Sequence, residues 1–247
     1  MTPESPWLLL DVGNTAIKWR LTHADCLLTP GGTVTDLEAL LPVVENQPWS
    51  AVGISSVAGE QTHQAVVEAL GFRRAVPVRV AVSESSSMGV RNSYAVPGEM
   101  GVDRWLAMLA AHCLHEGPVC VIDAGTAITL DLLTADGAHL GGYILPGADL
   151  MNRALTNATG RINCTLADPP TLAPGNSTVQ CVSAGSWRAA LGAVQSVLAD
   201  FPDHRPLLTG GGASALFELG LAAETCPDLV FEGLRLWLSR KLDGEAL

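Results

Sequence analysis

Two stretches decide how this chain is read: LLLDVGNTAIKW at residues 8–19 and CVIDAGTAITLDL at residues 120–132. Each carries an apolar run into Asp-x-Gly, places a Thr within two residues, and then resumes an apolar pattern. An apolar run that ends at such a turn reads as a buried strand, and the segment after it as a second strand returning alongside. The two stretches open successive halves of a 247-residue chain. The reading is therefore two similar α/β domains, residues 1–117 and 118–247, a length that suits two compact domains.

The remaining segments alternate in the same way. A short strand is predicted at 25–29 before a turn at Gly31-Gly32, then a helix over 35–46 despite Pro42, a strand over 50–58 and a helix over 59–71 closed by Gly71. A strand at 76–82 precedes SESSSMGVRNSYAVPGEMG (83–101), which has no periodic pattern. Patternless loops of this length are uncommon and disproportionately functional. Helices follow over 102–117, about 147–158 and 177–200. Between the first two, residues 119–147 read as strand, turn, strand, turn at Asp136-Gly137 and a third strand. After the third, a strand over 205–214 carries Gly210-Gly211-Gly212, followed by a helical segment, a short strand and a last helix over 231–242.

Composition narrows the function. The hydrophobic fraction is 48% and the charged fraction 16%, enough for a substantial core and low enough to leave apolar surface for a partner subunit. With 14 basic against 25 acidic residues the net charge is −11, which excludes nucleic acid and anionic membranes as natural partners. The six cysteines form no CxxC pair, so neither a zinc ribbon nor a disulfide scaffold is expected, and they read as small buried hydrophobes. His112, Cys113, His115 and Cys120 fall on a helix, its end and a strand, which favours packing over metal binding; His139 stands alone and carries no reading. Trp105, Leu106 and Leu109 read as helix packing residues. MTPESPWLLLDVGNT has no basic region and only a short apolar run, so the expectation is a cytoplasmic protein without a signal peptide.

A D-x-G-x-T turn suits nucleotide phosphate. Glycine lets the backbone approach the oxygens, successive N–H groups face an anion, and an Asp at the strand end can hold Mg²⁺, usually through water. Asn14 and Thr15 add donors. Two such turns facing one another across an interdomain cleft would clamp a triphosphate and its metal, and the Gly210–Gly212 run would admit an adenine or ribose. No G-x-x-x-x-G-K-[ST], G-x-G-x-x-G or G-x-S-x-G occurs where P-loop, dinucleotide or serine-hydrolase chemistry would need it.

DVGNT (11–15), GVDR (101–104), DAGTAITLD (123–131), GGYILPG (141–147) and TGGGA (209–213) together resemble the motifs of type III pantothenate kinases, in their order and spacing. The first motif is common to the acetate and sugar kinase/Hsp70/actin superfamily; the set is more specific. The resemblance implies two ribonuclease H-like (actin-like ATPase) domains with an interdomain nucleotide cleft, a homodimer, and ATP-dependent phosphorylation of pantothenate, opening coenzyme A biosynthesis. Mg²⁺ and a monovalent cation, K⁺ or NH₄⁺, are implied as cofactors. Carried over by motif, Asp11, Gly13, Asn14, Thr15, Lys18, Thr126, Gly210 and Gly211 are the ATP-binding positions, with Asp11 also at Mg²⁺ and Asp123 at the monovalent cation. Asp103 matches the proton acceptor. Tyr94, Gly101, Val102, Asp103 and Arg104 resemble the pantothenate-binding residues, and Thr178 a threonine contributed by the neighbouring subunit. For Asp103 the bland alternative is an acid favouring a helix N-terminus; for Thr178 it is a neighbour of the helix cap. Two other functions remain from the sequence: a kinase for another small hydroxylated substrate, and a non-catalytic accessory regulator of the same fold.

Overall fold

The computed structural model describes residues 5–71, 76–159, 166 and 169–244. By its contacts the chain divides into two compact units: residues 1–87, 94–110 and 229–247 in the first, residues 88–93 and 111–228 in the second.

In the first unit, strands β1 (Trp7–Val12), β2 (Ile17–Thr22), β3 (Leu27–Val34), β4 (Ala51–Ser56) and β5 (Val78–Val80) form one sheet in the order β3-β2-β1-β4-β5. β1 is antiparallel to β2 and parallel to β4. Helices α1 (Leu37–Glu45) and α2 (Glu60–Gly71) follow β3 and β4. Leu8, Leu10 and Val12 pack with Leu40, Val44, Val66 and Leu70 on one face. Leu9 faces the other way, and its side chain, with those of Leu234 and Leu238, crowds the space over Gly53. A strand buried on both faces must be apolar throughout, which is why WLLLDV reads as a run rather than an alternation.

Strands β6 (Ser86–Ser87) and β7 (Val90–Arg91) and a short 3₁₀ turn at Pro97–Glu99 interrupt the loop expected over 83–101. Helix α3 (Val102–Leu114) follows, and Trp105, Leu106 and Leu109 are buried as expected. The second unit repeats the plan with β8 (Val119–Ala124), β9 (Ala127–Leu133), β10 (His139–Pro146), α4 (Ala148–Thr159), α5 (Thr178–Asp200), β11 (Arg205–Thr209), α6 (Ala213–Glu218) and β12 (Glu224–Thr225). Its sheet runs β10-β9-β8-β11-β12, strand for strand the topology of the first. Cys120, Ile122, Leu130 and Leu132 form its core with Ala190, Leu191 and Val194 of α5.

Three expectations need correcting. Gly31 and Gly32 do not form a turn; they lie inside β3, where Arg20 and Trp19 cover them. A side chain at either position would strike those neighbours, and the ladder shifts register beside Arg20, the usual meaning of glycine within a strand. The last helix, α7 (Leu229–Leu242), does not join the second unit as a cut after residue 117 expects. It packs on the first sheet, and Gly233 lets its backbone lie directly against Leu106 of α3. Finally, Cys120 is buried, with its thiol pushed up to about 12 by desolvation, but Cys26, Cys113 and Cys181 are exposed; Cys164 lies outside the described residues. No described helix is long and apolar enough to cross a membrane.

Candidate active site

The first turn spans Gly13–Ala16 and is closed by the Gly13 N–H donating to the Ala16 carbonyl at 3.0 Å. Strand register places Asp11 opposite Lys18 on β2 and beside Ser55 on β4. The Ser55 hydroxyl donates to Asp11 Oδ1 at 3.2 Å, and Lys18 Nζ lies 3.7 Å from Asp11 Oδ2. Desolvation pushes the Asp11 carboxyl above its ordinary value; Lys18 opposes the shift and the charge of Asp103 adds to it. Two carboxylates from distant parts of the sequence thus sense each other within the first unit. Ser55 escaped the sequence reading, since a serine at the end of the apolar strand AVGISS carries no motif; only the parallel pairing of β4 with β1 gives it a partner.

Asp103 lies in the first turn of α3 and its Oδ1 accepts from the Arg104 N–H at 2.8 Å. Beside it Gly101 is tight, since a Cβ there would come within 2.6 Å of Asp103 Oδ1. Arg104 is buried, donates to the Tyr94 hydroxyl at 2.9 Å and lies 5.7 Å from the Tyr94 ring centroid. The structure therefore brings together Asp11, Lys18 and Asp103 as one group and Tyr94 and Arg104 as another. A cavity of about 460 Å³ is lined by Ser56, Ser83, Gly101 and Val102 among others.

In the second unit the turn is two residues long, Gly125-Thr126, closed by the Gly125 N–H to the Ala127 carbonyl at 2.9 Å. Gly210 adopts φ +92°, and a Cβ there would overlap Asp123 Oδ1. Gly212 donates to the Ala124 carbonyl at 2.7 Å and Gly147 to the Thr126 carbonyl at 2.9 Å. Gly211 has open space where a side chain would project. A cavity of about 300 Å³ is lined by Gly125, Thr126, Gly147, Asp149, Trp187 and Gly212, with others; Gly147 closes the GGYILPG motif, whereas Asp149 and Trp187 carry no motif in the sequence. Glycines let backbone amides and carbonyls line such a cavity, the lining a nucleotide needs when few cations are present.

Thr178 lies in the second unit and lines neither of these two cavities. It is the first residue of α5, with Ser177 as cap accepting from the Gln180 N–H at 3.4 Å. It lines a largely apolar groove of about 1100 Å³ with Leu150, Met151, Leu155 and Val182. Among the described residues, His115, Glu224 and Cys226 place ligand atoms within 4.8 Å of one another. Arg205 already pairs with Glu224 at 2.6 Å, and its guanidinium opposes a cation there.

A sheet of order 3-2-1-4-5 occurring twice, each copy carrying Asp and glycine at its first hairpin, defines a duplicated actin-like ATPase fold. A structure assigned to the Baf family of transcriptional activators, from Campylobacter jejuni, matches with a TM-score of 0.61 at 20% identity, covering 96% of this chain and 98% of that one. One assigned as a 2-dehydro-3-deoxygalactonokinase, from Sinorhizobium meliloti, matches at 0.58 and 15% identity over 97% and 100%. The family model for type III pantothenate kinase matches residues 7–200. A type III pantothenate kinase of Marinobacter nauticus is 38% identical over 233 residues, 92% of this chain and 96% of its own. The chain belongs to the type III pantothenate kinase family.

Proposed function

We propose that the protein transfers the γ-phosphoryl group of ATP to the primary hydroxyl of pantothenate, giving 4′-phosphopantothenate and ADP, the entry step of coenzyme A synthesis. What supports this reading is the family match over residues 7–200 together with Asp103 in the first turn of α3, next to an Arg104 that is buried and donates to the Tyr94 hydroxyl at 2.9 Å.

The substrate hydroxyl is a poor nucleophile, and Asp103 orients it and takes its proton as the oxygen bonds to the γ-phosphorus. The bond from that phosphorus to the β,γ-bridging oxygen breaks, and ADP leaves with the electron pair. Positioning and charge neutralisation supply most of the acceleration, so a carboxylate of ordinary basicity suffices. Arg104 and Tyr94 hold the acceptor, with Gly101 and Val102 alongside. Gly13, Asn14, Thr15 and Lys18 in the first unit, and Thr126, Gly210 and Gly211 in the second, hold ATP.

Asp11 fits a hard divalent ion: it offers carboxylate oxygens, and its bare charge is already disfavoured by burial and by Asp103. Bound there, Mg²⁺ would neutralise the phosphate oxygens, which allows a chain of net charge −11 to take an anion. Asp123 is the site we assign to K⁺ or NH₄⁺. We assign the α4–α5 groove, with Thr178, to a second copy of the chain, since an apolar groove of this size is the surface a symmetric partner would cover; light scattering reads the mass. ATP as co-substrate supports a cytoplasmic location.

A coupled assay with and without pantothenate, in K⁺ and in Na⁺ buffer, tests the whole reading. Pantothenate-dependent ADP release, higher in K⁺, is expected. Asp103→Asn is expected to fold, to bind ATP, and to lose about 10²–10⁴-fold in kcat. Wild-type turnover by that variant overturns the role of Asp103, and ADP release indifferent to pantothenate overturns the substrate.

A further inference from the structure

Asp131 closes the motif DAGTAITLD, yet no step of phosphoryl transfer uses it. It is buried on β9, and His139, which starts β10, is buried with it. His139 Nε2 lies 3.1 Å from Asp131 Oδ1, and its Nδ1 lies 3.0 Å from the hydroxyl of Ser93. With a neutral imidazole, the Nε2–H donates to the carboxylate and Nδ1 accepts from the Ser93 hydroxyl. A hydrogen-bonded chain thus runs from the sheet of the second unit to the exposed Ser93, at the end of a segment anchored by the buried Val90.

That segment has other ties to the same hairpin. The Arg91 N–H donates to the Gly137 carbonyl at 2.8 Å, and its guanidinium reaches the Asp136 carbonyl at 3.0 Å and carboxylate at 2.7 Å. Gly137, at φ +79°, lies so close to Gly89 that a Cβ would strike the Gly89 carbonyl. The exposed Arg91–Asp136 pair contributes little by itself. The buried imidazole–carboxylate bond is the one whose loss would leave a charge without compensation. Ser93 is its outermost member, and the next residue along the chain is Tyr94, whose hydroxyl accepts from Arg104.

We propose that Asp131 and His139, acting through Ser93, are positioning residues for pantothenate: they fix the backbone at Ser93 so that Tyr94 leaves it in the conformation that receives the substrate. This rests on the reading of Tyr94 and Arg104 as acceptor-binding residues. It gives a function to a motif aspartate and a buried histidine that phosphoryl transfer leaves idle.

Ser93→Ala removes the last link and its bond to the buried His139 Nδ1, so a modest fall in melting temperature is expected with the KM for ATP unchanged. The KM for pantothenate should rise about fivefold, the scale of one net hydrogen bond, and amide exchange over residues 88–96 should quicken. Ser93→Thr should restore both readings. His139→Gln should raise the pantothenate KM at least as far, and the double variant no further, because the two residues act as one chain. A Ser93→Ala enzyme with unchanged pantothenate KM, or a His139→Gln enzyme that only melts earlier, overturns the proposal. Tyr94→Ala separates the two readings. If it leaves the pantothenate KM untouched, the acceptor site itself is misassigned and the positioning role falls with it. If it raises that KM while Ser93→Ala does not, only the positioning role falls.

Discussion

The two hairpin turns descend from one plan and differ where chemistry would make them differ. In the first, four residues separate the strands, Asp11 faces Lys18 across the ladder, and Ser55 donates to it. In the second, two residues suffice, Asp123 faces Thr129, and Gly210 presses against its carboxylate from the neighbouring strand. The first turn sets side chains of either charge, Lys18 and Asp103, about its aspartate; the second brings a glycine backbone directly against its own. A duplicated sheet thus supplies two unlike surroundings for the same aspartate, to which the proposed reading assigns a phosphate and divalent ion in the first and a nucleoside and monovalent cation in the second.

The largest effects should come from exchanging what each aspartate can do. Asp11→Asn is expected to lower kcat about 10²-fold or more, on the scale of removing a group that organises transferred charge. Because burial and Asp103 disfavour the ionised form, the same variant should melt no earlier than wild type, and saturating Mg²⁺ should raise its melting temperature less. Asp123→Asn should instead flatten the response to K⁺. Equal Mg²⁺ and K⁺ behaviour in the two variants would erase the distinction between the turns.

Next in size is a contrast between adjacent glycines. Gly210→Ala meets both a positive φ and the Asp123 carboxylate, so a loss of about 1–3 kcal/mol in stability is expected, with weakened ATP binding. Gly211→Ala meets open space and should alter ATP binding with little change in stability. Thermal melts and nucleotide titration of the pair check this, and equal destabilisation by both would show that the glycine run is a loop without separate roles.

Lys18 gives a smaller test. Its ammonium is half exposed and 3.7 Å from Asp11, a separation at which an ion pair contributes less than about 1 kcal/mol. Lys18→Met should therefore melt like wild type. A rise of about tenfold in the KM for ATP is expected if the ammonium reaches phosphate, since a charge-assisted bond is worth roughly 1.5–3 kcal/mol. Unchanged kinetics would reduce Lys18 to a neighbour of Asp11.

These contrasts separate what local sequence carries from what it does not. The hairpins at 7–22 and 119–146 were legible because short apolar strands and their turn glycines are adjacent in the chain. The duplication was legible for the same reason. What escaped depends on strands and helices meeting from afar. Gly31 and Gly32 look like a turn until Arg20 and Trp19 are seen lying over them. α7 follows the second sheet in sequence, but its apolar side fits Leu9 and Leu106 of the first unit. Ser55 acquires a role only through a parallel pairing. His139 carries no motif and still joins Asp131 to Ser93. Local pattern sets which residues form an element, and packing sets which elements share a site.

The helix caps carry the comparison to its smallest effect. Asp36 caps α1 by accepting from the Ala39 N–H at 2.9 Å, and that bond, with the Thr35 hydroxyl, holds its carboxyl below the ordinary value. Ser177 caps α5 through a longer bond of 3.4 Å and has no charge to titrate. A carboxyl depressed in the folded state stabilises fully above its unfolded value near 3.8, and that contribution fades as pH falls through the lower folded value. Asp36→Ala should thus melt earlier than wild type at pH 7, with the gap narrowing toward pH 3. Ser177→Ala should lose about 0.5–1 kcal/mol with no such narrowing. Melts of both variants from pH 7 to pH 3 decide it: parallel gaps would show that the Asp36 cap acts through its geometry and not through its charge.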